Sequence, residues 1–258
     1  MAYSLTWLSQ VLQDAGLKVK ECDGWQNRGR AEMGQVFGVL CHYTGDPRKG
    51  NMPALDILIN GRPDLPGPLS QLGLGRDGTF YIIAAGKSNH AGKGSWKTLP
   101  LNSGNSHLIG IEAENTGSND PWPEVQMDAY RRGVAAILLH IKQTDIMWCV
   151  GHKEYAPGRK IDPDFNMDTF RAAVKAIMDG ADPTSVATTP GEPAEQSRPT
   201  LRPGQNNDPA LVKIIQAKVG VTADGIFGPA TEAAVRVFQE KNGLVADGIV
   251  GRGTWGVV

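Results

Sequence analysis

The sequence predicts an α/β fold, a mixed β-sheet flanked by helices, followed by a small three-helix domain. Three observations carry this expectation. Strand-like runs alternate with amphipathic helical runs over the first two thirds of the chain, without the strict βαβ regularity of a wholly parallel sheet. A stretch rich in Pro, Ser and Thr then breaks the pattern, and beyond it a short motif occurs twice between helical runs. The expected division is a first domain at 1–179, a linker at 180–207 and a second domain at 208–258.

Composition bounds the function. At 258 residues, 40% hydrophobic and 21% charged, the chain has an ordinary soluble make-up. Its net charge of -1 leaves no basic excess to neutralise a phosphate backbone, which argues against nucleic acid as a partner. No apolar run is long enough to span a bilayer, so no membrane insertion is expected, and a monomer is. The N-terminal stretch has no positive charge before Lys18 and no continuous apolar core, so it does not read as a secretory signal. Three cysteines, Cys22, Cys41 and Cys149, lack CxxC spacing and are expected as buried free thiols.

Taken in order, residues 4–15 place Leu5, Leu8, Val11, Leu12 and Ala15 on one helical face, and Gly16 stops the helix. Residues 22–33 read as a loop in which Trp25 is a surface anchor or a substrate contact. A strand at 36–41 comes next, then a short helix at 53–59 and a Gly- and Pro-rich loop at 60–68. The run 79–85, preceded by Arg76-Asp-Gly78, reads as a strand entered from a hairpin turn. His107 is expected on a strand face with Ile109 and Ile111. In the strand 108–114, Ile109, Ile111 and Ala113 alternate with Glu112 and Glu114, so one face is core and the other carries two carboxylates. Helices are expected at 124–142, which contains His140, and at 168–178. Between them the apolar run 145–151 reads as a strand, and the prolines at 157 and 163 favour a shaped loop over a helix for the segment between those two prolines.

Two of these strands end in histidine. His42 closes the first and His152 the last, and the loop after His152 can bring Asp162 beside it. Two imidazoles and a carboxylate form an acceptable zinc set, with one position left for water. Cys41 points to the opposite face from His42 and is a poor ligand. A Cys-His nucleophile pair at Cys149 and His152 is likewise disfavoured, because the two residues lie on opposite faces of one strand.

The segments HYTG at His42, IGIE ending at Glu112 and GHKEYAPGRKIDP at 151–163 together resemble the zinc-dependent N-acetylmuramoyl-L-alanine amidases, a fold shared with the peptidoglycan recognition proteins. The match spans 35–178, and Tyr43 stands where the family often has a second histidine. The resemblance implies Zn2+ on His42, His152 and Asp162, Glu112 as catalytic base, Lys160 as an active-site cation and His90, in a His-Ala-Gly segment, on the wall of the substrate groove. Glu114 does not match and is expected nearby or exposed. The implied reaction is hydrolysis of the amide between N-acetylmuramic acid and L-alanine in bacterial peptidoglycan. Rival readings are a recognition protein that binds wall without cutting it, whose signature of a lost ligand is absent, and a peptidase acting within the stem peptide.

In the last domain Ala223-Asp-Gly-Ile-Phe-Gly-Pro-Ala-Thr231 and Ala246-Asp-Gly-Ile-Val-Gly-Arg-Gly-Thr254 agree at six of nine positions. Helices are expected at 209–219 and 229–241, with Leu211, Ile214, Ile215, Val235 and Phe238 inward. This segment resembles the three-helix peptidoglycan-binding domains, with a generic helical dimerisation module as the alternative. With no leader recognised and an extracellular substrate, the expected setting is a phage endolysin held in the host cytoplasm until the membrane is opened.

Overall fold

The computed structural model describes residues 2–117, 120–181, 199–205, 207–242, 244, 246–255 and 257–258. Its contacts divide the chain into two compact units, Met1–Ala187 and Thr188–Val258. Most of the linker expected at 180–207 falls on 182–198, outside the described residues.

The first unit holds helix α1 (Leu8–Asp14), strands β1 (Val19–Glu21) and β2 (Gly38–Tyr43), helix α2 (Leu55–Asn60), the hairpin β3 (Gly61–Arg62) and β4 (Leu65–Pro66), and strands β5 (Leu72–Leu74) and β6 (Phe80–Ile82). It continues through α3 (Gly104–His107), β7 (Leu108–Ala113), α4 (Glu124–His140), β8 (Cys149–Gly151), α5 (His152–Tyr155) and α6 (Met167–Met178). Six strands form one sheet in the order β1-β6-β5-β7-β2-β8. Among the described residues of this sheet only the β5–β6 pair is antiparallel; β5, β7, β2 and β8 run side by side in one direction. That mixture is the expected sheet class.

Alternation along β6 shows how the two faces are filled. Phe80 and Ile82 join the main core with α1, α4 and α6, while Tyr81 and Ile83 join a second apolar cluster with Met52, Ala54 and Leu58 around α2. Gly133 of α4 lets that helix approach closely, since a Cβ there would lie 2.4 Å from the Phe80 ring. All three cysteines are buried and free, as expected.

Several local expectations are corrected. Trp25 is 3% exposed and belongs to the core, so it is neither a surface anchor nor a substrate contact. His107 ends the one-turn helix α3 and its Nδ1 lies 2.8 Å from the Gln35 carbonyl, so it shares no strand face with Ile109. Residues 60–68 contain the β3–β4 hairpin instead of a plain loop. The run 145–151 is a 3-10 turn (Ile146–Trp148) followed by three strand residues, and His152 opens a helical turn.

The second unit carries α7 (Pro209–Val219), α8 (Pro229–Lys241) and α9 (Arg252–Trp255), with Pro at the first turn of the first two. Leu201, Val212, Ile215, Phe227, Val235, Val250 and Trp255 form its core. Ile214, expected inward, is 42% exposed. Leu201 is 1% exposed and bridges Val250, so packed structure in this unit starts ahead of residue 208. Each repeat is closed by a buried glutamine. Gln216 Nε2 donates to Asp224 Oδ1 (2.7 Å), the Ile226 carbonyl (3.0 Å) and Thr231 Oγ1 (3.0 Å), and its Oε1 accepts from Gly225 N (2.8 Å). Gln239 makes the same bonds to Asp247, Ile249, Thr254 and Gly248.

Candidate metal centre

Three adjacent parallel strands end at one edge of the sheet, and the candidate residues stand there. His42 of β2 is in register with Glu112 of β7, and β8 on the other side of β2 runs directly into His152. Ligands in such sheets gather beyond the carboxyl ends of the strands. The backbone at His42 is fixed from beneath. The buried Tyr130 hydroxyl accepts from His42 N (3.0 Å) and lies 3.2 Å from the carbonyl oxygens of both His42 and Ile111. His152 is held through its helical turn: Glu154 Oε2 accepts from Gly151 N (2.8 Å), and Arg171 pairs with both oxygens of Glu154 at 2.8 and 2.9 Å. Asp162 returns on the following loop, its carbonyl accepting from Lys153 N.

The three side chains meet. His42 Nδ1 lies 2.9 Å from His152 Nδ1 and 3.1 Å from Asp162 Oδ2, and His152 Nδ1 lies 3.0 Å from the same oxygen. All three residues are buried. The His152 Nε2 faces the Ala91 carbonyl at 2.9 Å. A carbonyl only accepts, so that nitrogen carries the proton and a neutral His152 turns a lone pair on Nδ1 toward Asp162. Burial, with His152 beside it, drives the His42 pKa down to about 4, so this ring is neutral at neutral pH. Lone pairs and a carboxylate converging at about 3 Å repel one another unless a cation lies among them. Zinc bonds of about 2.0–2.2 Å in a tetrahedral arrangement set ligand atoms roughly 3.3 Å apart, so the donor set and its spacing fit that ion.

Glu112 faces the same point. Its Oε1 is 3.8 Å from His42 Nδ1, and its Oε2 is buried without a hydrogen-bond partner. Burial, followed by the Asp162 charge, raises its pKa well above the ordinary value, while Lys160 opposes the rise. Lys160, Asp162, Ile57, Arg62 and Leu65 are among the residues that line a cleft of about 670 Å3. Glu114, expected nearby or exposed, is buried; its carboxylate accepts from Thr44 Oγ1 (2.7 Å) and Ala54 N (3.1 Å), which ties two loops together. His90 reaches the cleft but is only 8% exposed, and its Nδ1 lies 3.1 Å from His42 Nε2. Sequence reasoning missed Tyr130 and Arg171. Neither carries a motif, and a bulky or charged residue on a core-facing helix position is the only signal available for them.

Residues 32–165 match the family model described as N-acetylmuramoyl-L-alanine amidase, and residues 213–258 match one described as a peptidoglycan binding domain. No curated protein sequence matches the chain. Among solved structures, the chain is similar to an AmpD derivative (20% identity, TM-score 0.46, covering 67% of this chain and 98% of that one). It is also similar to the E. coli amidase AmiD in complex with its substrate (17% identity, TM-score 0.46, 88% of each chain). A third is the endolysin amidase LysCS from Clostridium intestinale URNW (18% identity, TM-score 0.43, 60% of this chain and 93% of that one).

Proposed function

Because the chain belongs to the N-acetylmuramoyl-L-alanine amidase family, we propose that it cleaves the amide joining N-acetylmuramic acid to L-alanine in peptidoglycan with a zinc ion held by His42, His152 and Asp162. The observation that carries the zinc reading is the convergence of those three donors within 3.1 Å of one another, beside a carboxylate oxygen that has no partner. When bound, zinc supplies Lewis acidity, making water more acidic and polarising a carbonyl.

The chain's own groups do the rest. Glu112, whose pKa burial and the Asp162 charge raise above the ordinary carboxylate value, takes a proton from the attacking water and returns it to the departing amine of L-alanine. Its unpartnered Oε2 leaves an oxygen free for that transfer. Lys160 lines the cleft and its charge opposes the rise in the Glu112 pKa, which supports its ammonium as the group that balances the oxyanion of the tetrahedral intermediate. The second unit holds wall and raises the effective concentration of stems around the first. A wall-binding unit joined to an amidase suits bulk wall clearance, and the setting we propose is a phage endolysin that waits in the host cytoplasm until the membrane is opened.

Mass spectrometry of digested wall tests the reaction: a newly exposed N-terminal alanine on the stem is expected, and a new terminus within the stem would make the enzyme a peptidase. Zinc content by elemental analysis, lost in His42→Ala, His152→Ala and Asp162→Ala, tests the ligand set.

A further inference from the structure

The two histidine ligands arrive from β2 and α5, yet one short segment touches the outer nitrogen of each. His90 Nδ1 lies 3.1 Å from His42 Nε2, and the next residue's carbonyl, Ala91 O, lies 2.9 Å from His152 Nε2. The segment is itself fixed. Asn105 Oδ1 accepts from two successive amides, His90 N at 2.9 Å and Ala91 N at 2.7 Å, and Arg159 Nη2 donates to the Ala91 carbonyl at 2.7 Å. Gly110 of β7 makes room for the His90 ring, because a Cβ there would lie 2.6 Å from its Cγ and Nδ1.

We propose that His90 and Ala91, braced by Asn105, are positioning residues that set which nitrogen His42 and His152 each turn toward the metal. The proposal rests on the zinc reading above and differs from the substrate contact that the sequence suggests for His90. Its logic is one of tautomers. A backbone carbonyl accepts only, so Ala91 forces the proton of His152 onto Nε2 and leaves Nδ1 free to ligate. His42 must do the same, and can if His90 Nδ1 accepts from its Nε2–H. In the opposite arrangement His90 would donate to His42, and the His42 proton would point from Nδ1 into the metal position. Outer partners of this kind commonly change metal affinity by about 10–100-fold when removed.

The test is the zinc dissociation constant of the full chain, measured by competition with a chromophoric chelator at neutral pH. His90→Phe keeps a ring without an acceptor, His90→Asn can present an amide oxygen near the Nδ1 position, Asn105→Ala removes the brace and Asn105→Asp retains its oxygen. His90→Phe and Asn105→Ala are expected to weaken zinc by about 10–100-fold, with His90→Asn and Asn105→Asp within a few-fold of the parent. With zinc saturating, KM for a soluble muramyl peptide should be unchanged in all four. Melting of the chelator-treated proteins shows whether each variant is folded, and the two conservative variants decide the matter if the others are not. Parental zinc affinity in His90→Phe with a raised KM would overturn the proposal in favour of a substrate contact. Zinc affinity as weak in His90→Asn as in His90→Phe would overturn it as well. A parent that binds no zinc would overturn the underlying reading, and needs no variant to be seen.

Discussion

Gly110→Ala is a sharp perturbation of the site because it alters no polar group and adds one methyl. That methyl would meet the His90 ring at 2.6 Å, whereas ordinary contact begins near 3.4 Å, so the ring must give way by about 0.8 Å. The His42–His90 bond is 3.1 Å long, and a displacement of that size away from His42 carries it out of hydrogen-bonding range. Overpacking a buried site costs about 1–3 kcal/mol. At about 2–4 °C per kcal/mol for a domain of this size, the catalytic unit should melt roughly 2–12 °C lower. Zinc affinity should fall with it, by about tenfold or more. Both are measured on the purified chain, melting after chelator treatment and affinity by competition. The control is the double variant: with His90→Ala already present, adding the methyl should cost little stability and no further zinc affinity. If Gly110→Ala destabilises as much in that background as in the parent, the methyl is meeting something other than His90. Parental zinc affinity in the single variant would refute the reasoning directly.

The geometry sets three further outcomes. Glu112→Gln should keep zinc, since the carboxylate is no ligand, and slow turnover by about a hundredfold or more, while Glu114→Gln should lower the melting temperature instead, because Glu114 holds Thr44 and Ala54; elemental analysis, kcat and calorimetry separate the two. Gln216→Leu and Gln239→Leu each leave several polar partners unsatisfied, at about 1–3 kcal/mol for each buried one, so hydrogen exchange should rise sharply within residues 199–258 and intact-wall binding should drop, with cleavage of a soluble muramyl peptide preserved. Asp120, whose bond to Arg76 holds its pKa below the ordinary value, gives stability that is present above about pH 4 and lost as pH falls through the lower folded value; Asp120→Asn should therefore lose less melting temperature than the parent between about pH 5 and about pH 2.

The parts of the fold legible in the sequence are those in which local pattern and tertiary role coincide. Helix α8 is readable to its ends because Pro229 sits at its first turn and its apolar spacing is regular. β1 and β5 escape sequence reading because Val19–Glu21 and Leu72–Leu74 are three residues long, too short for alternation to register, and owe their existence to pairing with β6 and β7. Trp25 misleads for a related reason: a loop sequence around it says nothing of the core into which a 3-10 turn folds it. The glutamines of the second unit are detectable. Gln216 and Gln239 stand the same distance ahead of their Asp-Gly turns, so carrying the repeat back eight positions exposes them.

At the site, the legible groups are those that face the proposed metal position, and the illegible ones are those that aim them. His42, His152 and Asp162 are chemically marked and sit beside strand ends and turns. The backbone carbonyl of Ala91 has no signature in any sequence, although it decides the tautomer of His152 as firmly as a carboxylate would. The three proposed ligands are also held unequally. His42 is pinned within the sheet by Tyr130, and His152 by the Glu154–Arg171 pair, whereas Asp162 rides a loop whose neighbour Ile161 is 77% exposed. The two imidazoles are thus set by the sheet and its helical turn, and the carboxylate by a returning loop whose carbonyl at Asp162 accepts from Lys153 N.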